Sequence, residues 1–241
     1  MSLLAEVHVV LLRPRWASNL GAVARAMKNF GLRRLSLVDS RIGSWTDAWR
    51  LAVHAGDVLG AATNHAELET ALASATWVVA TSDRPPPGAR VLTPRDVAVE
   101  AQRLGAPTLV FGGEQNGLFP AELLRAHVVS TIPVASEQSS LNLAQAACVY
   151  FAELFAAHGS APAAEAPRVP AASAAMMQRV EEALARLLAD SAFGDASRGR
   201  HAIAELMQPL WRARLDDDEV REWLVALGKA AQTPRRAPPQ G

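Results

Sequence analysis

An α/β fold built on a mainly parallel sheet is what this sequence of 241 residues predicts. Three observations carry that prediction. Short apolar runs alternate with longer segments of helical period along the first two thirds of the chain. Several of those runs end in small or polar residues, where open parallel sheets bind ligands. Past an Ala- and Pro-rich stretch the pattern changes to helices alone, so a small helical extension follows.

Taken in order, residues 7–12 form an apolar run bounded by charge, the mark of a strand buried on both faces. Residues 13–17 are a loop, since Pro14 interrupts the pattern. Ser18 or Asn19 then caps a helix to about Phe30, with Leu20, Val23, Ala24, Met27 and Phe30 as its apolar face and Gly31 as its stop. Residues 35–38 are the second strand. Short helices follow near 47–53 and 66–73. Residues 77–80 are the third strand, and Arg84-Pro85-Pro86-Pro87-Gly88 is an open loop, because three consecutive prolines lack backbone donors. Thr93 caps a helix with Pro94 at its first position. Residues 108–111 and 128–132 are the fourth and fifth strands, with a short helix opened by Pro120 between them. A long apolar helix covers roughly 142–157, and its Cys148 is expected to pack as a small hydrophobe.

The domain organisation expected is a main domain over 1–158, a linker over 159–172, a helical extension over 173–231 and a disordered tail over 232–241. Half of the residues are hydrophobic, enough for one good core and a smaller unit. The 24 basic and 24 acidic residues cancel, which argues against a globally basic nucleic-acid binder. The first fifty residues, however, carry eight Arg and Lys against three acids, so either a local basic surface or an ordinary solvated face lies there. One cysteine excludes a disulfide framework or a cysteine zinc site, and the six histidines lack metal-ligand spacing, so no metal is expected. The start lacks a basic leader and no apolar run is long enough to span a bilayer, so the chain reads as soluble and cytoplasmic.

Three segments are candidates for chemistry. Residues 19–31 hold Arg25 in mid-helix among Ala22, Ala24 and Ala26, where small neighbours admit either a nucleotide or another backbone. Residues 111–118 end a strand in Gly112-Gly113-Glu114, with neither Gly-Lys-Ser/Thr nor G-x-G-x-x-G spacing; Glu114 either meets a ligand or an arginine, or is solvated on a glycine turn. Ser139-Ser140-Leu141-Asn142 runs into the long helix, and its polar groups either cap that helix or hold a ligand.

Together, N-x-G-x-x-A-R-A-M at 19–27, F-G-G-E-x-x-G-L at 111–118 and S-S-L-N-L-A-x-A at 139–146 resemble the three motifs of the SpoU/TrmH family of RNA 2′-O-ribose methyltransferases, in the SPOUT superfamily. The resemblance covers residues 6 to about 157 and is nearest the TrmJ-type branch, which methylates the ribose at position 32 of the tRNA anticodon loop. Ala55-Gly56-Asp57-Val58-Leu59-Gly60, Val79-Ala80-Thr81-Ser82 and the helical extension support that branch. The resemblance implies a SPOUT-type mainly parallel sheet whose C-terminal part is threaded as a trefoil knot. It implies S-adenosyl-L-methionine as cofactor, tRNA as substrate and a homodimer as the working form. Carried over by motif, the cofactor contacts are Thr81, Ser82, Asp83, Gly112, Ile132, Ser139, Ser140 and Leu141. Arg25 is the implied catalytic arginine, with Asn19, Glu114, Asn142 and Ser140 completing the site. Arg13, Arg15, Arg33 and Arg34 are the candidates for RNA phosphate contact. A 2′-oxygen acceptor excludes DNA, and the transfer needs no metal. A guanidinium stays charged above pH 12, so Arg25 is expected to position and stabilise, with an RNA phosphate or Glu114 taking the proton. Two other readings stay open: transfer to another RNA (ribosomal RNA or the tRNA wobble ribose), and a member that binds RNA or cofactor without turnover. The loop at 84–88 and the Arg13-Pro14-Arg15-Trp16 segment depart from the family pattern.

Overall fold

The computed structural model describes residues 2–135, 137, 140–159, 170–189 and 196–232. A first turn, α1 (Leu3–Glu6), leads into β1 (His8–Leu12), whose five residues are all buried. Helix α2 (Ala17–Asn29) returns to β2 (Arg34–Val38), and Gly31 makes the turn at φ +77°. Helices α3 (Thr46–Leu51) and α4 (Gly56–Gly60) precede β3 (Thr63–His65), and α5 (Leu68–Leu72) precedes β4 (Val78–Thr81). Then come β5 (Val91–Leu92), α6 (Pro94–Leu104), β6 (Thr108–Gly112), α7 (Pro120–Leu123), β7 (Val128–Ser130) and α8 (Leu143–His158). Three helices close the chain: α9 (Ala174–Ala189), α10 (Ala196–Ala213) and α11 (Asp217–Gln232).

The seven strands form one sheet in the order β3-β2-β1-β6-β4-β7-β5, and every pairing is parallel. This is the expected α/β architecture. Alternation along β1 sorts the core into two layers, since successive side chains face opposite sides. Val9 and Leu11 join α2, α6 and α8 on one face. Val10 and Leu12 join α5, α7 and the three C-terminal helices on the other. Burial on both faces explains why the central strands read as apolar runs rather than as alternating patterns.

Several expectations need correction. The pattern predicts five strands, whereas β3 and β5 add two short ones; β3 is Thr-Asn-His and β5 only two residues, so neither carries an apolar signal. Helix α4 also escapes the pattern, being five residues bounded by glycines. Helix α2 begins before Ser18, and its N-cap is Trp16, which has no side-chain cap bond. Cys148 is exposed, not packed, because it falls on the outer face of α8. The C-terminal helices do not stand apart. Met177, Val180, Trp211 and Val220 lie in one cluster with Val10, Val110 and Val129 of the sheet. Of the predicted linker, 160–169 lies outside the described residues, while Ala172 is buried and donates its N–H to the Leu215 carbonyl at 2.7 Å. The tail at 233–241 also lies outside them. Among the described residues no helix is long and apolar enough to cross a membrane.

Candidate active site

Because every strand runs the same way, the loops after β4, β6 and β7 meet at one edge of the sheet. They enclose a cavity of about 320 Å³. Thr81, Ser82, Asp83, Gly112, Ile132, Ser140 and Leu141, seven of the eight positions carried over for the cofactor, line it together with Glu114. The eighth, Ser139, lies outside the described residues.

The glycine pair has a local cause. A Cβ on Gly112 would fall 2.1 Å from the Gly117 carbonyl carbon, and one on Gly113 would fall 2.4 Å from the Arg13 carbonyl oxygen. The loop folds back on itself, with Gly113 and Gly117 bridged and Gly117 at φ +64°. These glycines therefore admit backbone rather than ligand. Gly21 does the same for the contact between α2 and α3, where a Cβ would lie 2.4 Å from the Ala48 carbonyl oxygen.

At the rim the three motifs join by side chain. Asn142 is the N-cap of α8, its Oδ1 accepting the N–H groups of Ala144 and Gln145. Its Nδ2 donates to Asn19 Oδ1 at 3.0 Å. Asn19 Nδ2 in turn donates to Glu114 Oε1 at 2.9 Å. Glu114 also accepts the backbone N–H of Arg15 at 3.0 Å and of Trp16 at 3.3 Å. A carboxylate from a distant loop thus sits at the positive end of α2 and holds the two N–H groups that lead into it, where no side-chain cap bond is made. Asn142 is both a cap and a link, and Glu114 pairs with backbone rather than with an arginine.

The basic residues separate into groups. Arg13 is half-buried at φ +53°; it pairs with Glu122, donates to the Gly117 carbonyl at 3.2 Å and lies 4.4 Å from the Phe119 ring centroid. It braces the glycine loop. Arg15 is exposed and donates to Gln115 Oε1 at 2.6 Å. A second cleft, about 350 Å³, lies behind the same loop and is lined by Arg13, Arg15 and Arg41. Arg41 had no motif to mark it. Arg33 and Arg34 are not brought here: Arg34 opens β2 and pairs with Glu6, at the opposite end of the strands and about 13 Å from the cavity edge by strand rise. Arg25 is exposed on α2 and does not line the cavity. It follows Asn19 by six residues, about 9 Å along the axis and on a different face.

Sequence reasoning missed the floor. Tyr150 is buried and donates to Ser130 Oγ at 2.9 Å; Ser130 donates to the Leu92 carbonyl at 2.9 Å. Burial pushes the Tyr150 phenol up to about 12, against a smaller opposing effect of the Ser130 bond. A signal existed: Leu143, Ala146 and Tyr150 share one face of the helix that the third motif opens. Phe111, Leu118, Ile132, Val134 and Leu141 supply apolar wall, and Asp83 supplies an acid. Volume and apolar wall suit a nucleoside, and the acid on that wall, Asp83, is paired with Arg84 at 3.4 Å. Among the described residues no group of three or more His, Cys, Asp or Glu is placed to hold a metal ion.

Comparison with known proteins matches this geometry. The model of the SpoU rRNA Methylase family matches residues 6–152. The tRNA (cytidine/uridine-2'-O-)-methyltransferase TrmJ of Yersinia pestis (strain Pestoides F) is 33% identical over 97% of this chain and 96% of its own. The crystal structure of TrmJ from Z. mobilis ZM4 superposes with a TM-score of 0.83 at 28% identity, over 93% of this chain and 99% of that one. An AdoMet-bound rRNA methyltransferase from Sinorhizobium meliloti has a TM-score of 0.50 at 28% identity, over 64% of this chain and 59% of that one. Motifs joined at one cavity rim, a parallel sheet that orients them and a family match across most of the sheet domain make this chain a member of the SpoU methylase family.

Proposed function

We propose that the protein transfers a methyl group from S-adenosyl-L-methionine to a ribose 2′-oxygen of tRNA, at position 32 of the anticodon loop. The observation that carries the reading is the Asn142–Asn19–Glu114 chain, which ties all three motifs to the rim of the cavity. When bound, the cofactor supplies an electrophilic methyl group on a sulfonium. Thr81, Ser82, Asp83, Gly112, Ile132, Ser140 and Leu141 hold it, with Ser139 from the same motif. The chain's own task is then alignment. Asn19 and Asn142 each keep a second amide N–H for a ribose or phosphate oxygen. Glu114 has three donors on its two oxygens, so it positions Asn19 and the start of α2 rather than collecting the proton. An RNA phosphate is the proton acceptor in this reading, and Arg25 holds the adjacent phosphate and steadies the developing alkoxide.

The working form is a homodimer. Cys148, Val149 and Phe155 leave an apolar stripe exposed on α8, beside the helix that carries Arg25. Covering that stripe with a second copy removes apolar surface from water near Arg25. Trefoil threading belongs to the same reading. Strand β7 lies between β4 and β5, so the 82–90 connection must cross it. Gly88 and Ala89 meet the C-terminal helices on one face, while α6 packs on the other. Beyond β7, Thr131 bonds to the Ser82 and Leu92 carbonyls, between the two arms of that connection. Residues 1–158 carry out transfer in this scheme, and 173–231 form the helical extension. The site of action is the cytoplasm.

The test is labelled transfer to unmodified tRNA with the product mapped by position. Label at position 32, lost in Arg25→Ala and reduced in Arg25→Lys, is the expected result. Label elsewhere keeps the chemistry and moves the target. Cofactor binding with no transfer to any RNA refutes the enzyme reading, and full turnover in Arg25→Lys refutes the bidentate role.

A further inference from the structure

We propose that Trp16, with Arg15 and Arg41, forms a subsite that stacks one unpaired nucleobase and holds its phosphate beside the ribose to be methylated. The inference rests on the RNA-methyltransferase reading and specifies which part of the RNA the chain grips.

Trp16 is the N-cap residue of α2, a position that favours Ser, Thr, Asp or Asn. No side-chain cap bond is made at position 16; Glu114 instead holds the Arg15 and Trp16 N–H groups that lead into the helix. The position is filled by an indole that is 53% exposed, a large apolar ring kept in water. Local rules are broken in this way at functional sites. The backbone beneath the ring is fixed, because Glu114 Oε1 accepts from both the Trp16 N–H and Asn19. Trp16 and Asn19 are three residues apart and share one side of the helix, so the ring stands one turn from the motif junction.

Charge lies where a phosphate would follow. The Arg15 guanidinium is 5.9 Å from the indole centroid, and the cleft lined by Arg13, Arg15 and Arg41 opens behind it. Arg13 is spent on Glu122 and the glycine loop, which leaves Arg15 and Arg41. Arg41 pairs with Asp39 at 2.7 Å, yet its side chain is 62% exposed, and its backbone N–H is bonded to the Pro14 carbonyl at 2.9 Å. Its loop is therefore pinned to the one that carries Trp16. Glu114 also borders the cleft, but its oxygens are taken by N–H groups. An aromatic face beside arginines is how proteins hold single-stranded RNA, whose bases are free to stack.

The experiment uses the full chain and an anticodon stem-loop RNA with 2-aminopurine next to the acceptor nucleotide. Binding of the wild-type protein should quench the probe. Trp16→Ala should abolish the quench and raise Kd for the RNA roughly ten-fold, while Trp16→Phe retains most of both. Arg15→Ala with Arg41→Ala should lower the slope of log K against log salt by about 0.7 for each phosphate that is no longer neutralised. Affinity for S-adenosyl-L-methionine, unchanged in Trp16→Ala, certifies the fold. Unaltered quench and affinity in Trp16→Ala overturns the subsite, and so does a loss in Trp16→Phe as large as in Trp16→Ala. A changed oligomeric mass with RNA affinity intact makes Trp16 a subunit contact and also overturns it. Quenching by a wild-type protein that transfers no methyl group keeps the subsite and overturns the transfer reading instead.

Discussion

Glu114 accepts three N–H groups on two oxygens, and the arrangement of donors sets what a substitution there would do. Glutamine keeps one acceptor but turns an NH₂ toward N–H donors. A donor left facing another donor costs about 1–3 kcal/mol when buried, and about 1 kcal/mol is expected here, where water reaches the Arg15 and Trp16 N–H groups. Glu114→Gln should therefore lower the thermal midpoint and loosen both Asn19 and the first turn of α2. Misplacing an aligning group is felt mostly in the chemical step, so kcat should fall on the order of ten-fold or more. Affinity for S-adenosyl-L-methionine, set by the other walls of the cavity, should stay close to wild type. Calorimetry with the cofactor beside single-turnover transfer would separate the two. A variant with wild-type kcat would mean that Glu114 does not position the acceptor side.

The cap of α8 combines two duties that substitution can part. Serine at an N-cap is about as good as asparagine, whereas alanine costs about 1 kcal/mol. Only asparagine also reaches Asn19. Asn142→Ala should lose both stability and transfer; Asn142→Ser should regain the stability and still transfer poorly. Recovery of kcat in Asn142→Ser would sink the linking role. The same element marks what the sequence makes legible. Thr93-Pro94 predicts a capped helix, and the reciprocal bonds between Thr93 and Asp96 are present. There the signal is local: donor and acceptor sit three residues apart. At α2 the helix opens at Trp16 and the carboxylate at its start is Glu114, some hundred residues on, so Ser18 and Asn19 look like caps and are not. The Arg13 contact was hidden in the same way, its partner Glu122 lying on α7, about a hundred residues away. Most cavity positions were legible because motif spacing and strand polarity together bring the three loops to one edge. Tyr150 was not, although its helix face pointed there.

At the scale of the whole molecule the sheet is closed on its second face by α9, α10 and α11, and their patterns showed amphipathic helices without showing what their apolar sides meet. The seam contains a titratable group. His127, 3% exposed at the start of β7, sets its ring at 89° to Trp211 of α10 with centroids 4.8 Å apart. Its Nδ1 accepts the Val78 N–H at 2.9 Å, so this nitrogen carries no proton. Burial chiefly, with Arg214 nearby, pushes the imidazole down from 6.5 to about 3. His8, bonded to Ser36 at 2.7 Å, is pushed down to about 4, first by burial and then by Arg34 and His65. A folded-state value below the unfolded one means that the unfolded chain binds more protons in between. These stabilising contributions are complete above pH 6.5. They are lost as the pH falls from there toward 4 and 3, at a limit of about 1.4 kcal/mol per pH unit for each histidine. The urea midpoint should thus be level from pH 8 to 7 and drop below 6.5. His127→Asn keeps an acceptor for the Val78 N–H but cannot titrate, so it should shed about half of that slope and leave the part due to His8. Equal slopes in wild type and His127→Asn would remove the seam from the acid response. A shallower slope would make the contact between sheet and extension the part of the fold most exposed to acid, since charging His127 requires water to enter between β7 and α10.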